Sequence, residues 1–495
     1  MRSVVAVLAL VSLPLVCLAQ TKPGDSTPPR SWVDKDTGHR VWRLSNEPNS
    51  GGFYFNINAY TPDEKQMVYT APDGLHVMEL ATRKTKLLVA NPPREEGAAA
   101  TSGIIHPLVV GHKTNSVFYT ITDAKKVTTV YKANTDTGEV QKLVTIPHLP
   151  NTSGWSVVSV NADETLIAGT YIEGDHENQL YGSNIPRPAQ PAGAQDNRTG
   201  SAVQGPHYQP MNKGQMMEAR LAARLPLVLF TLRLEPGPDG AKPGDLKVLL
   251  HSRDWVNHLL FSPTDPQLLM YCHEGPWQKV DRIWMIHTDG TGNTLIHKRT
   301  MVNEIAGHEF WGLDGETIWY DWQFPKSEDF WLAGRNLKTG ERIAYHMQRD
   351  EWSIHFNLTK DLSLFTGDGG DPGQVAHAKN GEWIELFHPE MLNGGKGSLN
   401  SPDFWQPGVF HSEHLVNMSH HYYREEPNVR FSPDKKLVIF TSNMFGPSYV
   451  FGVEVEKAAN PPVDEVMSTP DLAKRYNPVD PPNSKAALPG RPTSR

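Results

Sequence analysis

The feature that most constrains the fold is a turn-and-strand unit that recurs along the chain. Each copy has a turn bearing Pro, Asp, Asn or Gly, then a short β-branched and aromatic run, then a second strand. Clear copies begin at Thr61, Asn161, Ser262, Leu313, Thr359 and Ser432, and a weaker one begins at Gly111. Most starts are about 50 residues apart, which is typical of a four-stranded propeller blade. The sequence therefore predicts an all-β fold, a seven-bladed β-propeller.

Two segments rich in Gly, Asn and Pro interrupt the repeat, and they are predicted to be loops inserted near residues 184–215 and 392–414. The last copy runs out of chain after its third strand. Residues 39–45 precede the first full copy, so we expect them to supply the missing strand and close the ring, which removes an open sheet edge. The propeller is then expected to span residues 20–458, followed by a Pro-rich tail over 459–495, peripheral or disordered.

The first residues have the pattern of a secretory signal. Arg2 provides a positive charge, residues 4–16 form an apolar run, and small residues end at Ala19. The run is too short to span a bilayer. We therefore expect residues 1–19 to be removed and the protein to be exported, periplasmic or secreted, without a membrane span. Cys272 is then the single remaining cysteine, which rules out a disulfide framework.

Charge and motifs exclude several classes of function. A formal net charge of -8 argues against a nucleic-acid partner, although local cations would still admit an anionic sugar. The sequence has no GxSxG nucleophile elbow, and His308-Glu309 lacks the second histidine of a zinc-peptidase helix. A hydrolase or zinc peptidase is therefore not indicated.

Histidines lie beside the innermost strands of consecutive blades. His258, His308 and His355 occupy matching places there, and His273 follows the second strand of the His258 blade. A single histidine at such a position is more often structural than catalytic. Matching positions in consecutive blades converge on the propeller axis, so the recurrence predicts a shared central site.

Five strings carry a family resemblance. They are CHEGPW at residues 272–277, VDRIW at 280–284, GHEFW at 307–311, GDGGDP at 367–372 and DTGHRVWRL at 36–44. These strings resemble those of the oligogalacturonate lyase family and occur in the same order. The resemblance covers most of the mature chain. The resemblance implies a seven-bladed propeller, a divalent cation (manganese is typical, with calcium or magnesium as alternatives) and eliminative cleavage of short, acidic galacturonate oligomers.

The resemblance also implies roles for single residues. The family's general base lies fifteen residues before the histidine of its CHEGP string, which matches His258 ahead of His273. An arginine that holds the substrate carboxylate matches Arg224, with Arg220 close behind. By the same resemblance the remaining substrate-binding positions are His273, His355 and Trp277.

The implied metal ligands depart from the family pattern. His308 matches the histidine ligand of the HEFW string. The other ligands belong to a Gln-x-x-His-x-His run, where this chain has Tyr423, Glu426 and Asn428. Glutamate and asparagine still offer oxygen to a hard cation, whereas tyrosine replaces glutamine poorly. The change leaves open a different metal preference or a different uronide.

Two alternatives remain open on the sequence. A lyase for another uronic-acid oligosaccharide would explain the altered ligand run. A non-catalytic periplasmic propeller that binds a glycan or a protein would show the same repeat, although it would not need the CHEGPW and GHEFW strings.

Overall fold

In a computed structural model that describes residues 27–93, 102–176, 213–371, 380–392 and 404–481, the chain is built almost entirely of antiparallel strands. In its first half these are β1 (Ser31–Asp34), β2 (His39–Arg43), β3 (Gln66–Ala71), β4 (Gly74–Glu79), β5 (Lys84–Ala90), β6 (Ile105–Val110), β7 (Ser116–Thr122), β8 (Thr128–Asn134), β9 (Val140–Thr145), β10 (Thr152–Val160), β11 (Leu166–Glu173), β12 (Leu227–Arg233) and β13 (Leu246–Ser252).

The second half continues the pattern. Its strands are β14 (Trp255–Phe261), β15 (Leu268–Glu274), β16 (Ile283–His287), β17 (Thr294–Leu295), β18 (Ile305–Trp311), β19 (Thr317–Gln323), β20 (Phe330–Asn336), β21 (Arg342–His346), β22 (Phe356–Leu358), β23 (Phe365–Gly367), β24 (Trp383–Met391), β25 (Gln406–Asn417), β26 (Arg430–Phe431), β27 (Leu437–Ser442), β28 (Tyr449–Lys457) and β29 (Val466–Met467). The α-helices of the described residues are α1 (Lys213–Ala223) and α2 (Thr469–Tyr476), and short 3-10 turns cover Pro238–Gly240, Arg349–Glu351 and Val463–Glu465. Neither α-helix has the length and apolar character that crossing a bilayer demands.

Within the described residues the strands group into seven blades, as the sequence predicts. Blade 1 holds β3–β5, blade 2 β6–β9, blade 3 β10–β13 and blade 4 β14–β17. Blade 5 (β18–β21) and blade 6 (β22–β25) share one sheet, because β21 pairs with β25 in parallel. Blade 7 holds β26–β28, completed by β2.

The repeated turns connect the first two strands of each blade. In every blade the backbone N–H of one turn residue donates to the carbonyl at or next to the start of the second strand; these turn residues are Thr61, Gly111, Asn161, Ser262, Gly312, Thr359 and Ser432. The weak copy at Gly111 therefore makes the same turn as the clear ones. Because this hydrogen bond is common to all seven blades, its donor residue serves as the reference for aligning equivalent positions between blades.

The N-terminal strand closes the ring. β2 runs antiparallel to β28, with Val41 opposite Val453 and Trp42 opposite Gly452, so the expectation for residues 39–45 is confirmed. β1 extends the sheet outward, and Trp32 is fully buried there against Phe445. Joining the first and last parts of the chain gives a ring without an open edge at this point.

Val41→Asp is expected to lower the free energy of unfolding by several kcal/mol, because it buries an unpaired carboxylate in the closing strand. Val41 has no exposed surface. The matched control is Val140→Asp, since Val140 is 47% exposed on the outer strand of blade 2. Urea unfolding measures both, and equal midpoints would contradict a role of β2 in closure.

One predicted boundary needs correction. The insertion expected near residues 392–414 overlaps β25, the outer strand of blade 6, because residues 408–417 pair with β24 over its whole length. The described part of the predicted tail, residues 459–481, packs on blade 7: Ser468 caps α2, and Leu472 and Ala473 are buried in the hydrophobic cluster there. The expected signal at 1–19, most of the insertion near 184–215 and the chain end after 481 lie outside the described residues; the described end of that insertion begins α1.

Blade 1 lacks a regular inner strand. Isolated bridges join Gly51 to Thr70 and Tyr60 to Met67, so residues 52–59 lie opposite only Val68 and Tyr69. We call residues 53–58 the axial segment, because it contacts blade 7 beside it and blade 5 across the ring. Its contacts include Phe55 N–H to Asn428 and Asn56 Nδ2 to the carbonyl of Glu309.

Candidate active site on the propeller axis

One inner-strand position recurs in every blade, four residues before the turn donor. It holds Ile57, Pro107, Val157, His258, His308, His355 and Asn428 in blades 1 to 7. At His258 and His308 the pairing register shifts, and φ is 47° and 46°. A β-bulge re-aims a side chain, and positive φ in a non-glycine residue is a strain usually retained at functional sites. The local backbone thus turns the two histidines toward the axis.

His258 is held by a buried carboxylate. Its Nε2 lies 2.9 Å from Glu274 Oε2, and its side chain remains 32% exposed. The Tyr54 ring of the axial segment lies 6.4 Å from the imidazole, centroid to centroid. With Nε2–H donated to Glu274, the imidazole presents Nδ1 as its free nitrogen.

A buried arginine fixes Glu274 in turn. Arg282 Nη1 lies 3.1 Å from Glu274, and Arg282 Nε lies 2.9 Å from Glu309. Burial would raise the pKa of both carboxyls, yet Arg282 holds the pKa of Glu274 and of Glu309 below the ordinary value. Both groups therefore stay ionised, and Glu274 remains a hydrogen-bond acceptor for His258.

His258, Cys272 and Glu274 are close enough together to resemble a metal site. The Arg282 guanidinium, however, already occupies Glu274, and its charge opposes a second cation. Burial raises the pKa of the Cys272 thiol well above normal, which disfavours the thiolate that a metal needs. This cluster suits orientation of His258 better than metal binding.

His308 and His355 form a second pair across blades 5 and 6. Their rings are 5.0 Å apart, and each Nδ1 faces a buried carboxylate: His308 faces Asp321 at 3.3 Å and His355 faces Asp368 at 2.7 Å. Glu426 Oε2 lies 3.9 Å from His355 Nε2. Carboxylates behind imidazoles are the usual outer shell of metal-binding histidines.

Tyr54 and Trp277 complete the walls of this site. Tyr54 Oη lies 3.2 Å from His355 Nε2, and the Trp277 ring meets His308 edge to face at 4.9 Å. Gly307 has to be glycine here, because an added Cβ would lie 2.6 Å from the Trp277 ring. Trp277 also lies over the Arg282 guanidinium at 4.8 Å, which joins the second cluster to the first.

His273 belongs to a different cluster from His258. It projects from β15 next to Trp284, with ring centroids 5.0 Å apart, and its Nδ1 lies 3.8 Å from Asp254. Asp254 also pairs with Arg224. Burial lowers the pKa of His273, which Asp254 partly offsets. Adjacent residues of a strand face opposite sides, so Glu274 points to His258 and His273 points away.

The two predicted arginines lie beside this Asp254 cluster. Arg224 has φ of 48° and follows α1, with a half-exposed side chain. Arg220, in the last turn of α1, stacks on Trp255 at 3.6 Å. The structure therefore groups Arg220, Arg224 and His273 at the start of β14, and brings His258, His308, His355, Trp277 and Glu426 together at the axis.

The remaining predicted ligands have other contacts. Asn428 accepts from Phe55 N–H and donates to the carbonyl of Glu426, so its amide holds the axial segment in place. Tyr423 is buried in the hydrophobic cluster of blade 7, with its ring edge-on to His421 at 4.8 Å. Of the four predicted ligands, His308 and Glu426 are the ones that lie beside His355.

Sequence reasoning missed the residues that support the histidines. Glu274, Arg282, Glu309 and Asp368 all lie inside the strings CHEGPW, VDRIW, GHEFW and GDGGDP, so those motifs contained the signal. Asp321 follows Tyr320 in a strand without a distinctive motif. Tyr54 lies in a segment that resembles an ordinary inner strand.

Comparisons with known proteins find similarity to oligogalacturonate lyases. The family described as oligogalacturonate lyase matches residues 239–459. An oligogalacturonide lyase of Pectobacterium atrosepticum is 27% identical over 207 residues, 41% of this chain and 50% of the relative. An oligogalacturonate lyase of Dickeya dadantii is 26% identical over 213 residues, 41% and 51% of the two chains. The chain thus spans about half the length of the curated relatives that it matches.

Solved structures extend the similarity to the whole ring. An oligogalacturonate lyase in complex with manganese and one from Vibrio parahaemolyticus both align with a TM-score of 0.60, at 18% and 20% identity. Each alignment covers 86% of this chain and 96% of the other. At this identity the likeness supports the propeller fold alone. The similarity to the oligogalacturonate lyase family is carried by the match over residues 239–459.

Proposed function

We propose that the protein cleaves oligogalacturonides by β-elimination and leaves a 4,5-unsaturated uronide. The observation that carries the proposal is His258: its Nε2 is fixed by a buried, ionised Glu274, and its ring stays partly exposed at the axis. The curated relatives named as lyases for these substrates match 41% of the chain. The acidic oligosaccharide is the partner that this reaction requires.

The chemistry explains why these residues are needed. The proton on C5 of a uronide is weakly acidic, because the neighbouring carboxylate is already negative. His258 Nδ1 takes this proton, and the electron pair of the C5–H bond forms the double bond between C4 and C5. The bond from C4 to the glycosidic oxygen breaks, and the oxygen leaves with the bonding pair and takes up a proton from water. Glu274 stabilises the imidazolium that His258 becomes, since its carboxylate accepts Nε2–H throughout.

A divalent cation fits the second cluster. Both oxygens of Asp321 and Nδ1 of His308 are buried without a hydrogen-bond partner among the described residues, and Asp368 and Glu426 add further negative charge. His308, His355 and Glu426 would hold the ion, a nitrogen and oxygen donor set that manganese accepts. When bound, such an ion would neutralise the uronate carboxylate and make the C5 proton more acidic. The relative solved with manganese motivates that metal for this chain.

Arg224 and Arg220 are proposed to bind an acidic unit of the substrate next to the reacting one. The Arg224 guanidinium is half exposed beside Asp254, so a substrate carboxylate can compete for it. His273 lines the same position. Export of the protein is part of the proposal, supported by the apolar run at residues 4–16.

A lyase for a different uronide is the second candidate. Two of the three residues that replace the family's Gln-x-x-His-x-His ligands have other contacts, and this difference favours the second candidate. Asn428 holds the axial segment, and Tyr423 is buried in the hydrophobic cluster of blade 7. The His258 chemistry is the same for both candidates. They differ in the sugars that the rest of the channel accepts.

Incubation of the purified protein with oligogalacturonides is expected to raise the ultraviolet absorbance of the new double bond. Removing divalent cations with a chelator should lower the rate, and adding manganese should restore it, because His308, His355 and Glu426 lose the ion. Calcium and magnesium additions distinguish the metals. A chelated protein that keeps its full rate would contradict the metal assignment, and no absorbance change on any uronide would contradict lyase activity.

A further inference from the structure

The seven equivalent inner positions, four residues before each turn donor, are polar in one part of the ring and apolar in the other. Blades 4 to 7 place His258, His308, His355 and Asn428 there, while blades 1 to 3 place Ile57, Pro107 and Val157 at the corresponding positions. A cavity of about 340 Å³ opens on this second side, and these three residues are among its lining. The cavity therefore lies between blades 2 and 3, on the side of the ring opposite the histidines.

The lining of this cavity has no permanently charged side chain. Among the described residues that form it, none is Lys, Arg, Asp or Glu, and His106 is its one titratable group. Thr120 and Ser156 offer hydroxyl groups, and Leu108 and Trp155 offer apolar surface. Mixed hydroxyl and apolar walls suit the alternating hydroxyl groups and C–H faces of a sugar ring, and the volume is near the lower end of ligand pockets, about 300–1,000 Å³.

A uronate is a poor occupant of such a cavity. Its carboxylate would lose water without gaining a lysine or arginine partner, which is costly for an ionised group. A neutral pyranose loses only hydroxyl hydration, which Thr120 and Ser156 replace. We therefore expect uronate units of the substrate to lie on the histidine side of the ring and uncharged sugar units to lie in the cavity.

We infer that this cavity is a subsite for an uncharged pyranose unit beside the uronosyl residue that is cleaved. The unit is either a neutral sugar or a methyl-esterified uronosyl residue, since both lack the charge. The inference rests on the proposed elimination at His258. It makes the preferred substrate a mixed oligosaccharide rather than a uniformly acidic one.

Calorimetry with non-cleaving His258→Ala protein tests this inference without consuming the substrate. The probes are an acidic trigalacturonide, the same trimer with a methyl ester on its end unit, and a trimer that ends in a neutral hexose. We expect one or both uncharged-end trimers to bind more tightly than the acidic one, on the order of tenfold. Whichever trimer binds better identifies the source of the uncharged unit. Equal affinities, or tighter binding of the acidic trimer, would overturn the inference.

Val157→Lys adds a cation to the cavity, so it should reverse this order of affinities. The matched control is Val140→Lys on the outer strand of blade 2, which should leave the order unchanged; the same response in both variants would overturn the inference. If Val157→Lys does not fold, the near-isosteric Thr120→Val replaces it and should weaken the uncharged-end trimers selectively. Cleavage of an acidic dimer by the parent protein tests the proposed function separately.

Discussion

Replacing His258 with alanine is expected to reduce the rate of elimination by about 10²–10⁴-fold, the usual contribution of a general base. The affinity for oligogalacturonides should change little, because the imidazole acts on the C5 proton mainly in the transition state. The loss should therefore appear in kcat rather than in KM. Product absorbance gives the rate, and calorimetry gives the affinity.

The matched control for this variant is His251→Ala. His251 lies on the outer strand of blade 3 with its side chain 64% exposed, 3.7 Å from Glu173. Its removal should leave the rate unchanged. A His258→Ala protein with the parent rate on every uronide tested would show that another group takes the proton, and Tyr54 would then be the next residue to test because of its contact with His355.

The blades were predictable because their signal is local. Each turn closes by a hydrogen bond between residues five or six apart, for example Thr61 to Gln66, so Pro, Asp and Gly at the turn identify it without tertiary information. The recurrence of His258, His308 and His355 followed from the same spacing. The closing role of β2 followed from counting strands, since a ring leaves one place for a spare strand.

The arrangement around the histidines was less predictable, because it depends on contacts between blades. Glu274 and His273 are neighbours in the chain, yet strand alternation sends them to different clusters, so a motif that contains both does not place both at the axis. The axial segment leaves blade 1 through contacts with Asn428 and Glu309, far away in the sequence. Residues 406–414 become a strand because β24 and β21 lie on either side of them.

Arg282→Met is expected to lower the free energy of unfolding by about 3–5 kcal/mol, the usual result of removing one partner from a buried ion pair. Arg282 is 4% exposed and neutralises Glu274 and Glu309, which are 5% and 1% exposed. Without it two carboxylates remain buried and uncompensated. Urea unfolding at neutral pH measures the loss, and the exposed Arg253→Met serves as the control.

The pH dependence of this loss tests its electrostatic origin. In the parent protein Arg282 depresses the pKa of Glu274 and Glu309, so their contribution to stability is present above the carboxyl pKa of the unfolded chain and is lost as the pH falls through the folded values. In Arg282→Met the carboxyls are destabilising when ionised and are relieved by protonation. The difference between parent and variant should therefore be larger at pH 8 than at pH 5. Adding Glu309→Gln should recover part of the stability at pH 8, and a difference that is independent of pH and of Glu309 would instead indicate lost packing against Trp277.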